Sequence, residues 1–245
     1  RKASSVVTVT HAIKENLIAR KIESTKIHVV TNGVDAQRFI PMTKDAQLEV
    51  SLGLEGKFVA GYIGTHGLAH GLDTLIDAAH LLAENDDRDV FRILMIGDGA
   101  ARSHLEARAY TEGVSNIIFL ESVAKNEVVR YWSLLDTSII HLKKVDLFKG
   151  AIPSKLFECM AMGIPVLHGV EGESADIVTR SDIGLTFEPE NAKMLAEMIV
   201  SLHSNPSLRD RLKRNGPKAA MQFDRTVLAS NMLEVLDEAA TQNTT

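Results

Sequence analysis

Apolar residues along the chain alternate between two spacings. Short runs dense in Val, Ile, Leu and Phe fall at 6–9, 27–30, 58–63, 91–96, 117–120, 138–141, 165–167 and 184–187, and these are predicted strands. Between them apolar positions return every three or four residues. Leu72, Leu75, Ile76 and Ala79 share one stripe, and Leu195, Met198, Ile199 and Leu202 another, as amphipathic helices require. Strands that alternate with helices predict an α/β fold: a Rossmann-like, doubly wound parallel sheet with helices on both faces. Several strands read as unbroken apolar runs, as expected when both faces are covered. Turn residues agree. Asn32-Gly33 and Gly97-Asp98-Gly99 follow strands, and Gly163 ends a helix before Pro165. Beyond about residue 190 the pattern is helical only, with breaks predicted at Asn205-Pro206 and Gly216-Pro217 and a frayed tail at 241–245. No repeat, low-complexity tract or internal boundary divides positions 1–245.

Composition narrows the classes. The 245 residues, 45% hydrophobic and 24% charged, suffice for a core without a disulfide or structural metal. The formal charge of -5 lacks the basic field that non-specific nucleic-acid binding needs. The single cysteine, Cys159, excludes an intramolecular disulfide and suits a reducing compartment, so a cytoplasmic location is expected. No stretch approaches the roughly 20 apolar residues of a membrane helix. The chain opens on Arg1 without an initiator Met or a signal peptide, and is read as a piece of a longer protein.

In sheets of this class ligands sit outside the carboxyl ends of the strands, so the loops after strands are the candidates. The first, residues 61–71, brings Gly64, Thr65, Gly67 and Gly71 from a strand into a helix N-terminus, where a backbone can approach an anion. It is neither a dinucleotide fingerprint nor a P-loop, and a plain tight turn fits it equally well. His66 and His70 stand four apart, but with no third ligand nearby they are not read as a metal site. In the second loop Asp98 either lines a pocket or caps the following helix. The third, 141–166, is the strongest signal. Lys143, Lys144, Lys149 and Lys155 stand there against one acid, Asp146, and lead into a helix that begins at Pro153-Ser154. Lysines beside a helix N-terminus make an anion trap. Glu158, one turn past Ser154, is placed to accept hydrogen bonds from a vicinal diol such as a ribose. A solvated basic loop with a dipole-favoured Glu is the plain alternative for each residue singly; the combination favours a sugar-nucleotide site.

The ordered set of Asn32-Gly33-Val34-Asp35 with Phe39 and Pro41, Gly97-Asp98-Gly99, and Pro153-Ser154-Lys155-Leu156-Phe157-Glu158-Cys159-Met160-Ala161-Met162-Gly163-Ile164-Pro165-Val166 resembles the C-terminal, donor-binding domain of GT-B glycosyltransferases of the retaining family 4 type. The resemblance runs from Val6 to about Leu236. It implies a nucleotide-sugar-binding domain whose acceptor-binding, N-terminal partner domain is absent here. Glu158 matches the second acid of the family's paired glutamates, which holds the ribose. Ser154, Lys155 and Leu156 match the stretch that meets the diphosphate and sugar. Gly64 and Thr65 match the diphosphate-facing loop, Gly97 and Asp98 the loop near the base, and Val123 the stretch whose backbone meets the base. Two positions depart. Gly150 stands where the first glutamate belongs, and His70 replaces a lysine, a poorer clamp for diphosphate, leaving Lys149 or Lys155 to supply the charge.

The activity so implied is retaining transfer of a hexosyl or N-acetylhexosaminyl group from a UDP- or GDP-linked sugar, without metal or other cofactor. The acceptor would be a glycan or a lipid-linked glycan in bacterial surface polysaccharide synthesis, with the full-length protein at the inner face of the membrane. The catalytic groups themselves would lie in the absent domain, so the piece alone is expected to bind donor and turn it over little. A nucleotide-sugar 2-epimerase on the same scaffold, or a non-catalytic nucleotide-sugar-binding domain, are the alternatives.

Overall fold

A computed structural model describes residues 3–242. In chain order the elements are β1 (Val6–Thr8), α1 (His11–Ala19), β2 (Ile27–Val29), α2 (Ala46–Ser51), β3 (Phe58–Ile63), α3 (Asp73–Ala83), β4 (Phe91–Ile96), α4 (Arg102–Thr111) and β5 (Ile117–Leu120). They continue with α5 (Val128–Trp132), β6 (Thr137–His141), α6 (Lys155–Met162), β7 (Val166–Gly169), α7 (Glu173–Ser181), β8 (Gly184–Thr186), α8 (Ala192–Ser204), α9 (Pro206–Ala220) and α10 (Arg225–Gln242). Six strands form one parallel sheet in the order β5-β4-β3-β6-β7-β8, with helices on both faces, as the sequence predicts. The chain runs outward from β3 on one side and from β6 on the other. The β3/β6 boundary is therefore the topological switch point, where such a sheet opens a crevice.

Two of the eight predicted strands do not join that sheet. β1 and β2 pair with each other around α1 as a separate parallel unit. This unit is held to the main body by Glu173 at the start of α7, whose carboxylate accepts the His11 and Ala12 amides at 2.9 and 3.0 Å. The predicted stripes are buried: Leu75, Ile76 and Ala79 in α3, and Leu195, Ile199 and Leu202 in α8. Cys159 is fully buried, and burial pushes its thiol up to about 12, which makes it inert.

The helical end differs from expectation at one of its two breaks. Asn205-Pro206 does separate α8 from α9, with the Asn205 side chain accepting the Leu208 amide and Pro206 at the first helical position. Gly216-Pro217, by contrast, lies inside α9. Pro217 cannot donate to the Lys213 carbonyl, a loss of about 3 kcal/mol in an isolated helix. Here packing overrides it: Leu212, Gly216 and Ala220 are buried on one face, which lies against α6. Gly216 is needed for that contact, because a Cβ there would stand 2.6 Å from the Met160 carbonyl oxygen. At the tail, Thr241 and Gln242 continue α10, and positions 243–245 lie outside the described residues.

Three buried histidines lie at the carboxyl ends of the central strands. His66 follows β3 with neither ring nitrogen hydrogen-bonded, His141 ends β6, and His168 lies in β7 with Nε2 2.8 Å from the Ser174 hydroxyl. Burial lowers all three below the ordinary histidine range, His66 to about 4 and His168 to about 3.

Two predictions follow from the packing. Gly216→Ala forces α6 and α9 apart and is expected to cost about 1–3 kcal/mol in urea unfolding. The histidines take up protons more readily in the unfolded chain. Stability is therefore expected to fall as pH drops from about 6.5 toward 4, and His66→Phe should flatten that decline by on the order of 2 kcal/mol in denaturation series at pH 7.5, 5.5 and 4.5.

Candidate functional site

The crevice predicted by topology is present as a cleft of about 610 Å³ at the carboxyl ends of β3 and β4 and the N-terminus of α6. Its walls are backbone brought against backbone. The loop after β3 is stitched to the loop after β4 by three bonds: the Gly64 amide to the Ile96 carbonyl (2.9 Å), the His66 amide to Asp98 O (2.8 Å) and the Ala101 amide to His66 O (2.8 Å). Gly97 has a φ of 146°, and a Cβ there would stand 1.8 Å from the Gly64 carbonyl oxygen, so only glycine closes the two loops together. Arg102 Nη1 ties the next loop in by donating to Gly97 O and Leu120 O. On the opposite side the Lys143 amide donates to Ala69 O, and His141 Nδ1 donates to His70 O at 2.6 Å. The second nitrogen of His141 accepts from the Glu190 amide, so one neutral tautomer pins three loops.

Of the candidate residues, Gly64, Thr65, His70, Gly97, Asp98, Val123, Ser154, Lys155 and Glu158 all line this cleft. Asp98 is exposed there and accepts from its neighbour Gly99; it does not cap α4, whose N-terminal residue Ala101 has no side-chain cap. Leu156 is fully buried in the core, where it helps to anchor α6. Lys149 lies elsewhere: it pairs with Asp146 at 2.8 Å and Glu171 at 3.6 Å and borders a separate groove against α1. The Lys144 ammonium is likewise paired, with Glu188, while Glu190 accepts from the Lys144 backbone amide. Of the four lysines counted in the sequence, only Lys155 reaches the cleft, because acids from distant segments claim two of the others and Lys143 points to solvent.

Lys155 and Glu158 project from one face of α6 because its other face, Leu156, Phe157, Cys159 and Met160, is core. The Lys155 Nζ is out of solvent, makes no hydrogen bond, and stands 3.6 Å from the centre of the Tyr62 ring. Burial brings it down to about 7. Burial also raises the Glu158 carboxyl above its usual range, opposed by the Trp132 indole and the positive charges of Lys155, Arg225 and Arg38. His70 is lowered by burial and then by Lys155. Among the described residues no three or more His, Cys, Asp or Glu side chains gather as a metal-binding group.

The cleft also contains residues that the sequence did not single out. Ser122 and Lys125 flank Val123 after β5 and could have been found by the strand-end rule; Val128 arrives only through packing, and Tyr62 lies buried under Lys155. The Gly150 departure has a physical cause as well. A Cβ at Gly150 would stand 3.0 Å from the Ala12 Cβ of α1, so a side chain there would have to press that neighbour back by a few tenths of an ångström.

Comparison with known proteins places this geometry. The crystal structure of HepE from Anabaena, in complex with UDP, superposes with a TM-score of 0.83 at 20% identity, over 96% of this chain and 64% of that one; the likeness shows a GT-B fold. A D-inositol 3-phosphate glycosyltransferase of Jonesia denitrificans is 27% identical over 232 residues, 89% of this chain and 54% of that protein. The capsular polysaccharide biosynthesis glycosyltransferase CapM of Staphylococcus aureus is 20% identical over 224 residues, 88% of this chain and 56% of that protein. The chain spans about half the length of these curated relatives. The family model of glycosyl transferases group 1 matches residues 44–219, which contain every residue of the cleft: the chain belongs to that family.

Proposed function

We propose that the chain is the donor-binding half of a retaining glycosyltransferase that takes a hexosyl or N-acetylhexosaminyl group from a UDP- or GDP-sugar. The observation that carries the reading is the pair on α6. An unpartnered buried lysine amine, a helix N-terminus and a half-buried carboxylate share one cleft at the switch point of the sheet. Loss of a nucleoside diphosphate puts negative charge on the leaving oxygens. The α6 N-terminus and Lys155 meet that charge with groups already in place, which is where electrostatic catalysis gains most. Glu158, one turn deeper, accepts two hydrogen bonds from the ribose hydroxyls. The base lies across the loops that carry Asp98 and Val123. With Lys155 and the helix dipole in these roles, charge balance needs no metal. The acceptor is a glycan or lipid-linked glycan of a surface polysaccharide, as the name of CapM suggests for its own reaction. A lipid-linked acceptor would bring the full-length enzyme to the inner face of the membrane; among the described residues no helix is long and apolar enough to cross it.

Calorimetric titration with UDP, GDP and ADP tests the reading. At least one is expected to bind below millimolar, and no binding at that concentration defeats it. Glu158→Gln should weaken the bound nucleotide about tenfold or more while affecting pyrophosphate much less; equal losses would contradict the ribose role.

A further inference from the structure

The Lys155 amine is buried without a partner. Its Nζ lies directly beneath the Gly64 turn, where a Cβ would come within 2.7 Å of it, and packs over the face of Tyr62. The Tyr62 hydroxyl is turned away, donating to Thr65 O at 2.8 Å. Around the ammonium stand Tyr62 from β3, His66 and His70 from the glycine loop, and Glu158 and Cys159 from its own helix; Asp98 and Lys125 face the same cleft. None of these forms an ion pair or hydrogen bond with it among the described residues. A ring face is worth about 2 kcal/mol to a desolvated cation and leaves all three N–H donors unmet.

We propose that Lys155 is charged by its ligand: a diphosphate entering the cleft brings one proton from solvent onto Nζ, so that nucleotide binding and proton uptake are one coupled event. This rests on the donor-site reading and adds to it. In the empty cleft the amine is held near 7 by burial. Phosphate oxygens supply the acceptors and the opposite charge that the protein withholds, and both favour the ammonium. Coupling is reciprocal, so whatever raises the lysine on binding also tightens binding as pH falls toward 7. Near pH 8.5 the coupling is separated from the histidines, which are neutral, and from a free diphosphate, which has lost its last proton.

The free state has a matching consequence. From about 7 to 10.5 the unfolded chain carries the proton and the native chain does not, so the penalty of burying Lys155 is fully present at or below pH 7 and fades as pH rises to 10.5.

The test is calorimetry with UDP and GDP at pH 8.5 in two phosphate-free buffers of different ionisation enthalpy. The expected result is uptake of about one proton per nucleotide, falling to a few tenths at pH 6.5. Lys155→Met should bind at least tenfold more weakly with no uptake. Lys155→Arg, charged at every pH used, should bind without uptake, and His70→Gln should keep it. Without ligand, Lys155→Met should melt higher than the parent chain, by a margin that shrinks from pH 7 to pH 10. Equal heats in both buffers, uptake that survives Lys155→Met, or a melting difference independent of pH would each overturn the coupling and leave the donor site standing. Failure of every nucleotide to bind would remove the donor site and the coupling with it.

Discussion

The site depends on how α6 is held. Four consecutive-turn side chains, Leu156, Phe157, Cys159 and Met160, are sealed in the core, and α9 closes over the helix through the bare backbone at Gly216. With that face fixed, helical geometry leaves Lys155 and Glu158 one turn apart on the other. Nothing in the cleft has to orient these two polar side chains; the hydrophobic effect acting on their neighbours does so. The C-terminal helices are therefore part of the site although none of their residues lines the cleft.

Such an arrangement costs stability. A buried lysine amine with no hydrogen-bonding partner, and the buried His66 ring with neither nitrogen bonded, are costs that a purely structural sheet would not carry. The glycines at 64 and 97 are part of the same arrangement, because they let two loops meet backbone to backbone and leave space that side chains would fill. The rest of the core, continuous and apolar on both faces of the sheet, carries these losses. Perturbed titratable groups gathered in one cleft set it apart from the rest of an otherwise ordinary fold.

The two departures from the family pattern become local matters of packing. At position 150 the Ala12 side chain of α1 stands within tight contact of where a Cβ would be. At position 70 the histidine carbonyl, rather than its ring, is what the neighbouring His141 grips. The amine nearest the first loop comes instead from α6: the Lys155 Nζ lies beneath that very loop.

Periodicity alone determined the elements, the parallel α/β class and the importance of strand ends, since strand and helix spacing are local properties of the chain. The stretch from Pro153 to Glu158 was legible because a helix start, a lysine and an acid at one-turn spacing are all written in consecutive residues. Tertiary structure decided what depends on partners distant in sequence. It withdrew β1 and β2 from the main sheet, carried α9 through Gly216-Pro217, and cancelled Lys149 with Glu171 and Lys144 with Glu188. It also carried Lys155, alone of the four lysines between 143 and 155, into the cleft. Charge and burial are sums over everything within a few ångströms, and a linear pattern records only the neighbours along the chain.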